Sequence, residues 1–217
     1  HVTAAAIANA IKSISLDITL LRIGIARDGM AVPNLVAQLR ASLPDSAKEH
    51  LHFGSTSQDV IDTSLMIRSR AAFAILQDRL KLIHECLKSA ADQFGHNTLF
   101  ARTRMQKALP ASVADRVKAW DAGFQSAADL IGNLTFPVQF GGPTGILRNE
   151  GLKKALAEKL SLNVLPHTWQ AERSPVVALA NAASALTGAA GKFGMDVCLM
   201  AQNELAEISL ADGGTSS

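Results

Sequence analysis

Residues 113–134 read VADRVKAWDAGFQSAADLIGNL, and within them Val113, Val117, Trp120, Phe124, Ala127, Ile131 and Leu134 recur at alternating steps of four and three residues. That spacing lays a single apolar seam along one side of a helix. Pro110 stands before the run and Pro137 after it, and a ring that removes an N–H donor bounds a helix on either side. The same alternation occurs twice more. Leu76, Leu80, Ile83, Leu87 and Ala90 form a second seam, in a run that Thr56 or Ser57 can cap, that Asp59 suits in its first turn and that Gly95 can stop. This predicts a helix of nearly forty residues, where globular helices run to about 8–20. Leu179, Ala183, Leu186, Ala190, Phe193, Val197 and Met200 form the third, starting near Ser174-Pro175 and expected to run to about Ala211, before Gly213.

Helices of this length pack side by side at about 20° rather than wrapping a small core. The third is rich in Ala and Gly, which lets neighbouring backbones approach closely. Three such seams are more than one chain of 217 residues can bury, so the spacing predicts an all-α long-helix bundle completed by further copies of the same chain. The first fifty residues differ. Ile7, Ile11, Ile14 and Leu16, then Leu20, Leu21 and Ile25, suggest shorter helices punctuated by Gly29, Pro33 and Pro44, with another short helix over residues 34–43. The organisation expected is residues 1–52 as the C-terminal part of an N-terminal helical domain and residues 53–217 as the bundle. Gly- and Pro-containing links are expected over residues 100–110 and 136–148.

Composition agrees with helix: hydrophobic residues make up 48%, and aromatics only 5% with no Tyr, too few for a typical β-sandwich. The net charge of +2, with no Lys/Arg run, argues against nucleic acid as partner. No run of about 18 uncharged apolar residues is evident, so no membrane span is expected. Cys86 and Cys198 form no CxxC pair, which suits a reducing, cytoplasmic setting and gives no support for a nucleophilic thiol. The six histidines show neither HExxH nor Cys/His spacing, so no metal site is expected, and His84, inside a helix, reads as structural. His1-Val2-Thr3 resembles no signal peptide, and both ends look cut from a longer protein.

Four polar clusters interrupt the bundle pattern: residues 52–59 (HFGSTSQD), 102–107 (RTRMQK), 139–145 (QFGGPTG) and 213–217 (GGTSS). Each falls at the end of a predicted long helix. A Ser/Thr-rich helix start offers free N–H groups and hydroxyls to a carboxylate, and Arg102 and Arg104 add charge-assisted donors. Together they describe a pocket for a small polyanion. Each also has a plainer reading: an N-cap for residues 56–59, a turn at Gly141-Gly142, solvated arginines, and a terminal linker.

The order of these clusters resembles the fumarase/aspartase/adenylosuccinate lyase superfamily. Residues 52–63 (HFGSTSQDVIDT) resemble its first shared block, residues 101–106 (ARTRMQ) its G-R-T-H-x-Q block, and residues 206–217 (AEISLADGGTSS) the lead-in to G-S-S-x-M-P-x-K-x-N-P, stopping before the M-P-x-K part. Residues 138–142 (VQFGG) and 191–196 (GKFGMD) are similar to its 3-carboxy-cis,cis-muconate cycloisomerase branch. Residues 169–173 (WQAER) are similar to that branch's H-T-Q-R-D-R, with Ala and Glu where Arg and Asp are expected. Arg104 stands where most members carry a catalytic His. Arginine cannot shuttle protons at neutral pH, so the departure favours the cycloisomerase branch over adenylosuccinate or argininosuccinate lyase.

The resemblance implies a tetramer whose central helices form one bundle and whose sites are shared between subunits. It implies a small polycarboxylate substrate, no cofactor and a place in protocatechuate breakdown. It also implies roles: Thr56, Ser57, Thr103 and Arg104 as donors to developing charge, His52 on a substrate carboxylate, and Gln58, Arg102, Gln106 and Arg173 as further binding residues. Ser216 or Ser217 matches the catalytic serine of the third block, Ser216 being preferred because it starts the pair. The rivals are an adenylosuccinate lyase-type enzyme and a non-catalytic scaffold of the same fold.

Overall fold

The computed structural model describes residues 2–146 and 149–209. Eight helices and one hairpin are found among them: α1 (Val2–Ser13), α2 (Ile18–Asp28), α3 (Val32–Ala41), α4 (Asp45–Lys48), α5 (Ser57–Phe94), β1 (Thr98–Thr103), β2 (Gln106–Ser112), α6 (Val113–Gly132), α7 (Glu150–Leu160) and α8 (Ser174–Met200). The frame is all-α, as the spacing predicts, and the three long helices fall on the three seams.

Helix ends follow local chemistry. Asp17 caps α2 by accepting the N–H groups of Thr19 and Leu20 at 2.8 and 3.1 Å, and Gly29 closes it at φ +72°, a conformation that favours glycine. Ser112 and Asp115 form a reciprocal capping box at the start of α6. Asn149 caps α7, a helix for which the seams gave no signal because it is short and polar on most sides.

Two expectations change. Residues 100–110 are not an irregular link: β1 and β2 pair antiparallel, with Thr103 opposite Gln106. The turn between them is Arg104-Met105, both at positive φ (+48° and +63°). Tight hairpin turns need that conformation and usually take Asn or Gly there, so these two residues gave no turn signal. The third long helix stops at Met200 rather than Ala211. The N–H groups of Glu207 and Ile208 fold back onto the Met200 carbonyl at 3.0 and 3.4 Å, and Ala206 sits at φ +46°, which a continuing helix does not allow.

The chain divides into two compact units, one of residues up to 69 with 135–175, the other of residues 70–134 with 176 onward. In the first, Leu43, Ala47 and Leu51 are buried with Ile7, Ala10, Val36 and Leu39 packed on them. Met66, Val138, Ala157 and Trp169 are buried there too. Lys153 is buried in α7, where its ammonium donates to the carbonyls of Leu165 and of His167, the latter at 3.2 Å. Burial pushes its pKa down, with Glu150 opposing.

In the second unit the predicted seam residues Leu80, Leu87, Val117, Phe124, Ala127 and Ile131 are buried. Phe193 meets Trp120 edge-on, with ring centroids 4.9 Å apart. His84 pairs with Asp121. Other apolar side chains of the long helices stay exposed, among them Ile75 (61%), Leu82 (51%), Val177 (52%) and Met195 (61%). By length and composition alone, α8 is long and apolar enough to cross a membrane. Its apolar character comes largely from Ala and Gly, and Asn181, Lys192 and Asp196 interrupt it.

Removing the α6 cap tests this account of the helix start. Ser112→Ala is expected to cost about 1 kcal/mol, read as a fall of roughly 2–4 °C in Tm. Ser112→Asp, which keeps an N-cap acceptor, should restore most of it.

Candidate active site

In the first unit the start of α5 meets the loop of residues 139–145 through one carboxylate. Asp59 is 3% exposed. Its Oδ1 accepts from Gln139 Nε2 (3.1 Å) and the Gly141 N–H (2.8 Å), and its Oδ2 accepts from the N–H groups of Gly142 (2.9 Å) and Thr56 (2.9 Å). Asp59 therefore caps its own helix and holds the glycine loop at the same time. The Thr63 hydroxyl donates to the Gln139 carbonyl at 3.0 Å and accepts the Gln139 N–H at 3.1 Å. The Gln139 side-chain oxygen accepts the Trp169 N–H at 2.9 Å, and the Trp169 indole donates to the Val138 carbonyl at 3.1 Å. Gly142 has φ +65°, and a Cβ there would lie 2.8 Å from the Gly54 carbonyl oxygen, so this position requires glycine.

The capping reading of residues 56–59 is thus met by Asp59. The hydroxyls of Thr56 and Ser57 remain half-buried, and neither makes a hydrogen bond among the described residues. Gln58 is half-buried beside them at the second position of α5, where backbone N–H groups are free to donate. Two cavities of this unit border the start of α5. One, of about 500 Å³, is lined mainly by Phe53, Phe140, Gly142, Ile146 and Leu152. The other, of about 380 Å³, is lined by Ser55, Asp59, Thr63, Arg68 and Gln139 among others. Thr56, Ser57 and Gln58 line neither.

His52 sits at φ +61° with Nδ1 2.8 Å from the Ser55 hydroxyl. When Ser55 donates to Nδ1, the proton sits on Nε2, which becomes a neutral donor. Burial lowers the His52 pKa, Arg40 lowers it further and Asp59 opposes. Arg173 donates to both oxygens of the buried Asp62, at 2.7 and 2.9 Å, and lies 5.2 Å from the Trp169 ring centroid. Asp62 holds that guanidinium charged and in place.

In the second unit, Arg102 donates to both oxygens of Glu207 at 2.7 and 3.0 Å, with 18% and 13% of the two side chains exposed. Thr103, Arg104 and Gln106 are exposed around the hairpin tip, and Arg104 has no ion-pair or hydrogen-bond partner among the described residues. Arg104 and Met105 face a cleft of about 460 Å³ that also takes in Arg102, Arg116, Lys192, Asp196, Leu199, Met200, Gln202 and Leu205. Asp196 accepts from the Trp120 indole at 2.8 Å and from Lys192, with Arg116 3.5 Å away. Its burial favours the neutral acid, but hydrogen bonds from Lys192 and Trp120 and the charges of Lys192 and Arg116 together bring its pKa below the ordinary value.

The candidates thus fall in two groups: His52, Thr56, Ser57, Gln58 and Arg173 in one unit, Arg102, Thr103, Arg104 and Gln106 in the other. Ser216 and Ser217 lie outside the described residues. Arg116 was not singled out from sequence, and Lys192 and Asp196 entered only as part of a motif. The signal available was a charge set into an apolar helical seam. Among the described residues no group of three His, Cys, Asp or Glu side chains could hold a metal ion.

The chain matches the lyase family model over residues 6–217, and it belongs to that family of lyases. It is 33% identical over 210 residues to the 3-carboxy-cis,cis-muconate cycloisomerase of Acinetobacter baylyi, an alignment covering 92% of this chain and 46% of that protein. The solved structure of beta-carboxy-cis,cis-muconate cycloisomerase from Acinetobacter calcoaceticus matches with a TM-score of 0.87 at 30% identity, over 95% of this chain and 51% of that one. A fumarate lyase from a Mesorhizobium species matches with a TM-score of 0.86 at 27% identity, over 94% and 50% of the two chains. The fold is therefore of the fumarase/aspartase type. The chain spans about half the length of the curated relatives it matches.

Two outcomes check the site geometry. Gly142→Ala should destabilise by about 2–3 kcal/mol, since it adds both a positive-φ penalty and a clash with backbone, and urea unfolding reads this directly. His52 should titrate below about 6.5 by NMR. A histidine with a lowered folded pKa supports the fold fully above its unfolded value, and that support is lost as pH falls from there toward the folded pKa. His52→Gln should flatten this part of the stability–pH profile.

Proposed function

We propose that the protein is a cycloisomerase that converts 3-carboxy-cis,cis-muconate to 4-carboxymuconolactone. The observation that carries this reading is Arg104, a permanently charged side chain without a partner among the described residues, standing at a hairpin tip where the superfamily pattern has a proton-carrying His. Arginine there suits binding and charge stabilisation rather than proton transfer. The relative named 3-carboxy-cis,cis-muconate cycloisomerase at 33% identity supports the same reading.

The reaction is an intramolecular addition. An oxygen of one substrate carboxylate bonds to a carbon of a conjugated double bond, and the electron pair moves through the α carbon onto the adjoining carboxylate. The resulting aci-carboxylate carries two negative charges until the α carbon takes a proton. Nucleophile and acceptor belong to one molecule, so orientation supplies much of the acceleration.

The chain's task is to donate hydrogen bonds where charge grows, each donor worth about 3–4 kcal/mol in comparable oxyanion sites. Thr56 and Ser57 at the start of α5, and Thr103 and Arg104 at the hairpin tip, take that task. His52 Nε2–H binds a substrate carboxylate, helped by Gln58 and Gln106. Arg173 and Arg102 act while held by Asp62 and Glu207. Ser216, or else Ser217, gives the proton to the α carbon. This chemistry moves no electron out of the substrate and calls for no cofactor or metal.

We further propose a cytoplasmic homotetramer with sites shared between subunits. The exposed apolar residues of the long helices, such as Ile75, Val177 and Met195, support such an assembly.

The deciding experiment runs two substrates on the full-length protein: loss of diene absorbance with 3-carboxy-cis,cis-muconate, and cleavage of adenylosuccinate. Turnover of the muconate alone is expected. Turnover of adenylosuccinate alone, or of neither by a folded tetramer, overturns the reading in favour of another lyase or a non-catalytic scaffold. Ser57→Ala should lower muconate turnover about 100-fold with little change in Tm. A Tm drop of several degrees with turnover intact would instead make Ser57 a capping residue.

A further inference from the structure

The cleft under the hairpin tip holds more positive charge than its protein partners neutralise. Among the described residues four cations line it, namely Arg102, Arg104, Arg116 and Lys192, while Asp196 is its one carboxylate and Glu207 is engaged bidentately by Arg102. Two positive charges remain, equal to the net charge of the whole chain gathered in a space of about 460 Å³.

Part of the arrangement is held in place by the fold. Two cations brought side by side repel, yet Asp196, with its side chain 14% exposed and anchored by Trp120, holds Lys192 and Arg116 within ion-pair distance of the same carboxylate. Arg104 approaches from another element, on a turn whose two residues each occupy the left-handed region. Met105, Leu199, Met200 and Leu205 add apolar surface to the lining.

We infer that this cleft is a dicarboxylate-binding subsite for an anion with a flat or apolar body and charges at both ends. Arg116 and Lys192 bind one carboxylate and Arg104 binds the other. The assignment rests on the proposed reading of Arg104 as a substrate-binding residue, and it names binding residues that the superfamily blocks do not single out. Lys192 is the residue to change, because its side chain is 63% exposed and its loss leaves the Trp120–Asp196 contact in place.

The test is calorimetric binding of tricarballylate, an unreactive tricarboxylate, to the full-length protein, with inorganic phosphate at matched ionic strength as the compact-anion control. Lys192→Gln should weaken tricarballylate about tenfold and Lys192→Glu more, as expected when a close charge is removed or reversed. Phosphate should bind at least tenfold more weakly than tricarballylate. Arg116→Lys, which keeps the charge and loses the planar fork, should also weaken tricarballylate while the protein stays folded. With the muconate as substrate, Lys192→Gln should raise KM about tenfold, more than it lowers kcat.

An unchanged Kd for tricarballylate in Lys192→Glu overturns the subsite, as does phosphate binding as tightly as tricarballylate. Because binding is read without turnover, the two proposals fail separately. Lys192-dependent tricarballylate binding in a protein inert toward the muconate sustains the subsite and sinks the cycloisomerase reading. Muconate turnover with KM and Kd indifferent to Lys192 does the reverse.

Discussion

One buried carboxylate organises the first unit. Asp59 faces four N–H donors, from Thr56, Gln139, Gly141 and Gly142, at 2.8–3.1 Å. An ionised carboxylate out of water is costly unless its oxygens are satisfied, and here each oxygen accepts twice. The cost of burial therefore fixes the position of the glycine loop against the helix start. Thr63, Gln139 and Trp169 extend the same set of bonds across the unit. The hydroxyls of Thr56 and Ser57 are left outside it, without a hydrogen bond among the described residues.

The same division of labour holds among the arginines. Arg102 and Arg173 each face a largely buried carboxylate with two parallel hydrogen bonds, the geometry in which a guanidinium binds most strongly. Those charges tie distant segments together: Arg102 holds the hairpin to the turn after α8, and Arg173 holds the start of α8 to α5 through Asp62. Arg104, two residues from Arg102, has no such counter-ion among the described residues. Its neighbours Arg116 and Lys192 share a single carboxylate. Residues of one type, close in sequence, thus differ in whether the fold has already neutralised them.

Much of this was legible in the residues. The long helices follow from a period of alternating fours and threes, and the start and end of α5 follow from Thr56, Ser57, Asp59 and Gly95. The hairpin was not legible, because Arg104-Met105 is an uncommon turn pair and β2 carries Pro110. The early end of α8 was not legible either, because Met200 is followed by residues of good helix propensity, and long-range contacts decide where the helix stops.

By itself the sequence determined the helical frame, the order of the polar clusters and the absence of a proton-carrying side chain at position 104. These depend on residues within a few turns of one another, or on the chemistry of one side chain. Only the tertiary structure decided that Asp59 is a clamp, that Arg102 belongs to Glu207 and Arg173 to Asp62, and that Arg116, Lys192 and Asp196 meet under the hairpin tip. Arg102 and Glu207 are 105 positions apart, and Arg173 and Asp62 are 111 apart. A charge's partner is set by where the folded backbone brings it, and no local pattern records that meeting.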